Sequence, residues 1–388
     1  MRAIERNALI AGIVGFVLFI IGVTVEPRQA LTSYLFAYAT VTTIVLGALI
    51  QVMMSYVTSA HWFTVLRRLA LGITGALPAL VLLALPVLLG VMTIYSWTTP
   101  SALPPEARAL VERKSAWLNV PFFVARSVVY LAVWLAVGSV LRRWSLRQDV
   151  LRGEASAAMS RRLRRLSAGG LVAVGLTLTF GSFDWLMSLE PTWYSTVYGI
   201  YVFAGGFLAA LGLIAILGQA AAKQRAMLGG TITREHFGAF GKLLLTFAMF
   251  WAYIAFSQFL IIWIGDVPLD ASWYVTRASR SWGKLALVVV AGQFALPFAL
   301  LLSREFKRLP QMVAALGWLL LAMHVLDTYW LVLPALHPLG MSPSWLDAAT
   351  LLMVAGFATA AAAWRLRGHG LIALGDPYMA AATGYVEP

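Results

Sequence analysis

Two carboxylates lie among aromatic side chains in residues 181–199, GSFDWLMSLEPTWYSTVYG, between two long apolar runs. Asp184 and Glu190 would lose much of their hydration at that depth, so we expect each to be paired, hydrogen-bonded or kept partly protonated. A proton or quinol pathway needs carboxylates of this kind. The same pattern also fits an interfacial turn, in which the aromatic residues anchor the chain at the membrane surface and both acids face water.

A histidine and an aspartate stand three residues apart in a later apolar run, in the sequence MHVLDTYW. At this spacing His324 and Asp327 share one face of a helix, near the middle of the run. An imidazole and a carboxylate so placed can pass on a proton, because both titrate within reach of neutral pH after modest shifts. The alternative is a satisfied pair that only fixes helix packing.

Other polar side chains inside apolar runs carry a desolvation cost and are functional candidates. Arg126 could form a buried ion pair with Asp184 or Asp327, in a structural or a functional role. A second polar set lies toward the other side of the membrane and could form the entrance of a half-channel: Gln51, Ser55, Tyr56, His61, Lys242, Thr246 and Tyr253. Such residues also make ordinary helix–helix hydrogen bonds, so both interpretations stay open.

The composition indicates an integral membrane protein. Hydrophobic residues make up 61% of the 388 residues and charged residues 12%, whereas a soluble domain has about 25% charged residues. We predict an all-α fold in a single polytopic membrane domain, 1–388, with approximate halves 1–190 and 191–388. The ten predicted transmembrane helices are approximately 8–25, 31–56, 69–95, 117–141, 166–187, 195–217, 240–264, 283–302, 311–334 and 346–364.

The distribution of the 29 Lys and Arg residues predicts the orientation. With a cytoplasmic N-terminus the inner side collects 21 of them, Arg225 included, and the outer side seven, while Arg126 lies within a span. This is the positive-inside pattern, which places both termini in the cytoplasm. The net charge of +13 therefore requires no nucleic acid partner. The run RRLRR at 161–165 is most simply a topology signal, although it could also bind anionic lipid or an acidic partner.

The predicted connections are too short for a soluble domain. The longest, around 96–116 outside and 142–165 inside, have roughly 20 to 25 residues each, enough for a short surface helix. No signal peptide is predicted, because the first apolar run lacks a clear small-residue cleavage site. Prolines in two spans predict kinks: Pro78 and Pro86 in the third, and Pro297 in the eighth.

Cofactor chemistry has little support within the chain. The absence of cysteine excludes disulfides, a Cys-ligated iron–sulfur cluster and covalently attached c-type haem. A bis-His b-type haem needs two histidines at matching depth, and only His324 is well inside a span. No nucleotide-binding glycine motif follows a strand pattern. We expect no catalytic residue, metal site or cofactor of its own, so any redox centre must come from a partner.

Three segments of the sequence resemble the F subunit of alternative complex III, a bacterial quinol:electron-acceptor oxidoreductase. They are residues 181–199, YIAFSQFLIIWIGDVPLDASWYVTR at 253–277, and SAHWFTVLRR at 59–68. On this resemblance the chain would be the second of two polysulfide-reductase-type (NrfD-like) membrane subunits, and the ten-span plan agrees along nearly the whole chain. Thr192 is a departure, since many relatives are expected to have histidine there, and no proton role is carried over to it.

The resemblance implies a respiratory complex of the bacterial cytoplasmic (inner) membrane that passes electrons from menaquinol to a periplasmic cytochrome c or copper protein. The iron–sulfur clusters and c-type haems would belong to partners, namely an iron–sulfur subunit and multihaem cytochrome c subunits. A sister NrfD-like subunit would hold the quinol site. The resemblance also implies two four-helix bundles, spans two to five and six to nine, with spans one and ten peripheral.

The present chain would then be a non-redox subunit that acts as a scaffold and a proton-translocation half-channel. The hypothesis assigns Asp184, Glu190, Arg126, His324 and Asp327 to an outer half-channel, with Tyr253, Lys242 and His61 toward the inside. Two alternatives remain open at this point. The chain could carry its own quinol site in the outer half, or it could be a stand-alone secondary transporter with helices broken at its prolines.

Overall fold

The computed structural model describes residues 2–223 and 231–387, which excludes Arg225, one of the cations counted for the inner side. The described residues form an all-helical protein with ten helical segments long and apolar enough to cross a membrane. The predicted multi-pass class and the number of spans are confirmed. We label the segments α1 to α10 in chain order: Arg2–Val25, Pro27–Val57, His61–Leu89, Val120–Gln148, Gly153–Leu189, Tyr198–Lys223, Arg234–Gly265, Arg280–Leu302, Pro310–Ala335 and Trp345–Leu366.

Helix α2 lies at the centre of the protein. Its most apolar window is 94% buried, against 22% for α1, because α2 packs on α1, α3, α5, α6, α9 and α10. Small residues permit the closest of these contacts. A Cβ atom at Gly47 of α2 would lie only 2.7 Å from the carbonyl oxygen of Gly206 in α6. The backbones of α2 and α6 therefore touch, and α6 in turn packs on α5, α7 and α9.

Both ends of the chain lie on one face of the protein. Helices α1 and α10 pack antiparallel, with Gly22 near Leu346 and Gly12 near Phe357. An ion pair between Glu5 and Arg367 joins their far ends. We call this the terminal face and the other the opposite face. The opposite face carries the α3–α4 and α5–α6 connections and the short helix Pro268–Ala278.

The structure corrects three predicted boundaries near the terminal face. Span α3 begins at His61 rather than at residue 69. Helix α4 continues to Gln148, and α5 begins at Gly153. The connection between α4 and α5 is therefore four residues long, instead of the predicted long loop at 142–165. The run RRLRR therefore lies on α5. In α3, Asp376 compensates the charge of the buried Arg67, which lies within the helix.

The prolines interrupt the helices where they were expected to. Span α3 is divided into the helical pieces Thr64–Ile73, Leu77–Leu83 and Leu85–Leu89, and Pro78 and Pro86 stand in the first turns of the second and third pieces. In α8 the residues Ala291–Ala295 form a π-helical turn directly before Pro297. The α3–α4 connection, judged long enough for a short surface helix, contains one at Pro105–Arg113.

Candidate functional site

A buried carboxyl group near the middle of α9 is the centre of the site. Asp327 is 2% exposed and accepts a hydrogen bond of 2.5 Å from the Tyr201 hydroxyl of α6. The side-chain amide of Gln293 donates to its other oxygen at 3.5 Å from α8. None of the ion pairs found in residues 2–223 and 231–387 includes Asp327. Within the described part of the chain, Asp327 is therefore a buried carboxyl group without a paired cation, and no fixed positive charge beside it favours the ionised form.

The π-helical turn of α8 explains how Gln293 reaches this carboxyl group. Proline has no backbone N–H, so Pro297 cannot donate to the carbonyl oxygen of Gln293 four residues earlier, and its ring would clash with that carbonyl in a regular helix. The helix widens over Ala291–Ala295 and turns the Gln293 side chain into the protein, where it is 1% exposed. Such single π turns are frequent at functional sites.

His324 lies beside Asp327 without bonding to it. Its Nε2 atom is 2.9 Å from the hydroxyl of Thr43 in α2, and that hydroxyl donates to the carbonyl oxygen of Ala39. Its Nδ1 atom is buried and has no hydrogen-bond partner. A Cβ atom at Gly205 would lie 3.1 Å from Asp327 Oδ2 and 3.4 Å from His324 Nδ1, so this glycine keeps the space between the two groups open. The predicted shared face is therefore present.

A dense set of hydrogen-bond donors surrounds the buried carboxylate of Asp184 in α5. Arg126 of α4 donates from Nε and Nη2, both at 2.8 Å. The Tyr130 hydroxyl and the Trp117 indole N–H donate at 2.7 Å and 2.9 Å. The predicted ion pair thus forms with Asp184 and not with Asp327. A carboxylate held by four hydrogen bonds and a cation is stabilised in its charged form, which suits a structural role better than proton transfer.

Glu190 forms an ion pair with a second arginine, Arg277, on the opposite face. Its side chain accepts a hydrogen bond of 2.5 Å from Arg277 of the Pro268–Ala278 helix. The Arg277 guanidinium is 1% exposed, lies 3.9 Å from the centre of the Trp273 ring, and donates to the carbonyl oxygen of Leu331 in α9. This arrangement ties Glu190 to α9 four residues beyond Asp327.

The α3–α4 connection also binds this part of the opposite face. Lys114 donates a 2.6 Å hydrogen bond to the carbonyl oxygen of Pro191, one residue after Glu190, and lies over the ring of Tyr194. Burial lowers the pKa of Lys114. The turn predicted at residues 181–199 is therefore held from two sides, and the acids do not simply face water.

A cavity of about 680 Å³ lies between α7, α8 and the Pro268–Ala278 helix, and residues of α6 and α9 complete its wall. Its wall is mostly aromatic and includes Tyr198 and Tyr201 on one side and Trp251 and Phe256 on another. Arg277 and Gln258 also line it. The cavity was not predicted from the sequence, although Arg277 and Gln258 belong to the segment 253–277 described there.

Two of the polar residues predicted for the inner half-channel, His61 and Lys242, contact the C-terminal segment 371–387, and the predicted set does not form one cluster. His61 stacks on Tyr378 at 4.2 Å, and Lys242 pairs with Glu387 at 2.9 Å. Arg67, which donates to Ser55 and lies over the Tyr56 ring, pairs with Asp376. The C-terminal segment therefore covers the terminal face between α2, α3 and α7.

The structure thus divides the predicted proton pathway into separate groups. Asp327 and His324 lie together, Arg126 and Asp184 form a second group, and Glu190 belongs with Arg277. Tyr253 is 67% exposed at the rim of the cavity and is not brought together with Lys242 or His61. Sequence reasoning missed Tyr201, Thr43 and Gln293 as partners. The position of Gln293 four residues before a proline was the available signal.

Neither the comparison with protein-family models nor the comparison with curated proteins found a match for this chain. Among the residues that the structure describes, no group of three or more histidine, aspartate or glutamate side chains is arranged to hold a metal ion.

Proposed function

We propose that the chain is an integral membrane subunit of a quinol:cytochrome c or quinol:copper-protein oxidoreductase of the alternative complex III type. It holds no redox centre of its own and serves as a scaffold and a proton route. Its termini are cytoplasmic, in a bacterial inner membrane, and its spans form two four-helix bundles, two to five and six to nine. The resemblance of residues 59–68, 181–199 and 253–277 supports the assignment.

The uncompensated buried carboxyl group of Asp327 is the observation that carries the proposal of a proton route. A proton carrier in a membrane must exist in both protonation states, and a permanent cation beside it would hold it in the charged one. Asp184 has such a cation in Arg126, whereas the side chains of Tyr201 and Gln293, which donate to Asp327, are neutral. Proton exchange therefore belongs to Asp327.

The polar groups around Asp327 suggest the two directions of the route. Toward the opposite face, Tyr198 lies one turn before Tyr201 on α6. The Arg277–Glu190 ion pair lies beyond Tyr198. Toward the terminal face, His324 leads to the Thr43 hydroxyl on α2. Each side offers groups that donate and accept protons, and Asp327 stands between them.

Co-purification tests membership of a redox complex. Because Glu387 is buried and paired on the terminal face, the affinity tag belongs at the N-terminus, where α1 is mostly exposed. Extraction in mild detergent is expected to bring down iron–sulfur and multihaem cytochrome c subunits, with a c-type haem spectrum. The untagged strain is the control. A colourless single chain would contradict the proposal and leave the secondary transporter as the working model.

A further inference from the structure

We infer that the cavity between α7, α8 and the Pro268–Ala278 helix is a binding site for the ring of an isoprenoid quinone or quinol. The site is additional to the proton route proposed above. The inference rests on the proposed function only in expecting that a quinone pool supplies the substrate. The geometry of the cavity does not depend on the proposed function.

The shape and mouth of the cavity fit a ligand that arrives through the lipid. A volume of about 680 Å³ falls within the usual range of small-molecule sites. The rim residues Tyr253, Phe256 and Phe259 are 67%, 60% and 43% exposed on the membrane-facing side of α7. A polar solute would have to cross hydrocarbon to reach this mouth, whereas a membrane-soluble molecule meets it directly.

Two buried polar atoms in the cavity wall lack a protein partner. The Arg277 Nε–H donor and the Gln258 Oε1 acceptor both make no hydrogen bond, and the two side chains are 1% and 5% exposed. A buried polar atom without a hydrogen-bond partner is destabilising, so a ligand that supplies the partner is favoured. A lipid acyl chain would leave both atoms unsatisfied. A ring that carries oxygen atoms can accept from Arg277 and, in its hydroxyl form, donate to Gln258.

The aromatic wall suits a flat ring in particular. Trp273, Trp330 and Tyr274 enclose the end of the cavity at Arg277, and Trp273 lies perpendicular to Trp330 with ring centres 5.3 Å apart. Aromatic side chains pack on planar ligands through offset or edge contacts. Apolar residues of α8, such as Val290 and Phe294, also line the cavity and can contact the prenyl tail.

The cavity also adjoins the proton site. Tyr201 lines the cavity and donates its hydroxyl hydrogen to Asp327. A ring bound here is therefore separated from the Asp327 carboxyl group by a single side chain. This placement distinguishes the cavity from an ordinary lipid groove, which needs no titratable group behind its wall.

Binding of a tritiated naphthoquinone with one isoprene unit tests the inference. The full-length N-terminally tagged chain, in nanodiscs of synthetic lipid free of quinone, is expected to bind this compound saturably. Ala286→Phe fills the cavity from α8 and should abolish binding, while Leu287→Phe, at the next residue and 71% exposed to lipid, is the matched control and should not change it. Gln258→Leu keeps the volume but removes the acceptor, and we expect about tenfold weaker binding of the quinol form.

Unchanged binding in Ala286→Phe would overturn the inference, and so would a wild-type chain that shows no saturable binding of the naphthoquinone. Gln258→Leu provides a second test if Ala286→Phe fails to fold, since equal affinity of Gln258→Leu and wild type for the reduced, quinol form of the probe would also contradict the inference. The assay needs no partner subunit. Binding by a chain that purifies alone would therefore refute the proposed complex and leave the site standing, and co-purification without binding would do the reverse.

Discussion

Replacing Arg126 by methionine is expected to cost about 3–5 kcal/mol of folding free energy and to prevent the protein from accumulating in membranes. Asp184, which is fully buried, would lose its cation and two of its hydrogen bonds. The remaining donors, Trp117 and Tyr130, are neutral and cannot compensate a buried negative charge. Fluorescence-detected size-exclusion chromatography and the apparent melting temperature in detergent measure the effect.

The double variant Arg126→Met, Asp184→Leu distinguishes the loss of the ion pair from the effect of leaving a buried charge unpaired. Removing both members of a buried ion pair is often much less harmful than removing one, so we expect the double variant to recover most of the lost melting temperature. Arg161→Met is the control, because Arg161 pairs with Glu154 on the surface and such pairs contribute about 0–1 kcal/mol. Equal effects of Arg126→Met and Arg161→Met would contradict this account.

Replacing Gly317 by leucine is expected to separate α6 from α9 and to disturb the contact between Tyr201 and Asp327. A Cβ atom at Gly317 would overlap the carbonyl oxygen of Gly212 in α6, and one at Gly212 would lie 2.8 Å from the carbonyl oxygen of Gly317. Backbone atoms cannot move aside as a flexible side chain can, so we expect a cost of about 3 kcal/mol or more.

The matched control for this variant is Gly175→Leu in α5. A Cβ atom there meets nothing within 4 Å, so the substitution adds the same side chain in a lipid-facing helix without a clash. We expect it to leave the melting temperature unchanged or slightly higher, because leucine favours helix more than glycine does. A Gly317→Leu protein as stable as Gly175→Leu would show that the close approach of α6 and α9 is dispensable.

The membrane class and the ten spans could be predicted from sequence because hydropathy and helix length depend only on local composition. The ion pair of Arg126 was predictable as a choice between two carboxylates, since a buried cation needs a partner. Which one it takes depends on the packing of α4 against α5, which the sequence does not state. The proline interruptions were also predictable, because a missing N–H is a local property.

The remaining features depend on contacts between distant residues. The start of α3 was placed too late because Arg67 was taken for a loop residue, whereas Asp376, more than 300 positions later, compensates its charge. No apolar periodicity in segment 371–387 predicted that it packs against the terminal face. Gln293 is the exception, since the proline four residues after it was a local signal for the π turn.

The most direct test of the proton route is the number of protons released per quinol oxidised by the purified complex in proteoliposomes, with Asp327→Asn in this chain. Asparagine keeps the shape and the hydrogen bond from Tyr201 but cannot exchange a proton. Asp266→Asn is the control, because Asp266 is exposed at the end of α7 in a left-handed conformation that asparagine tolerates. We expect both variants to assemble normally. In Asp327→Asn we expect the number of protons released per quinol to fall to the value set by quinol deprotonation alone. An unchanged ratio in Asp327→Asn would contradict it.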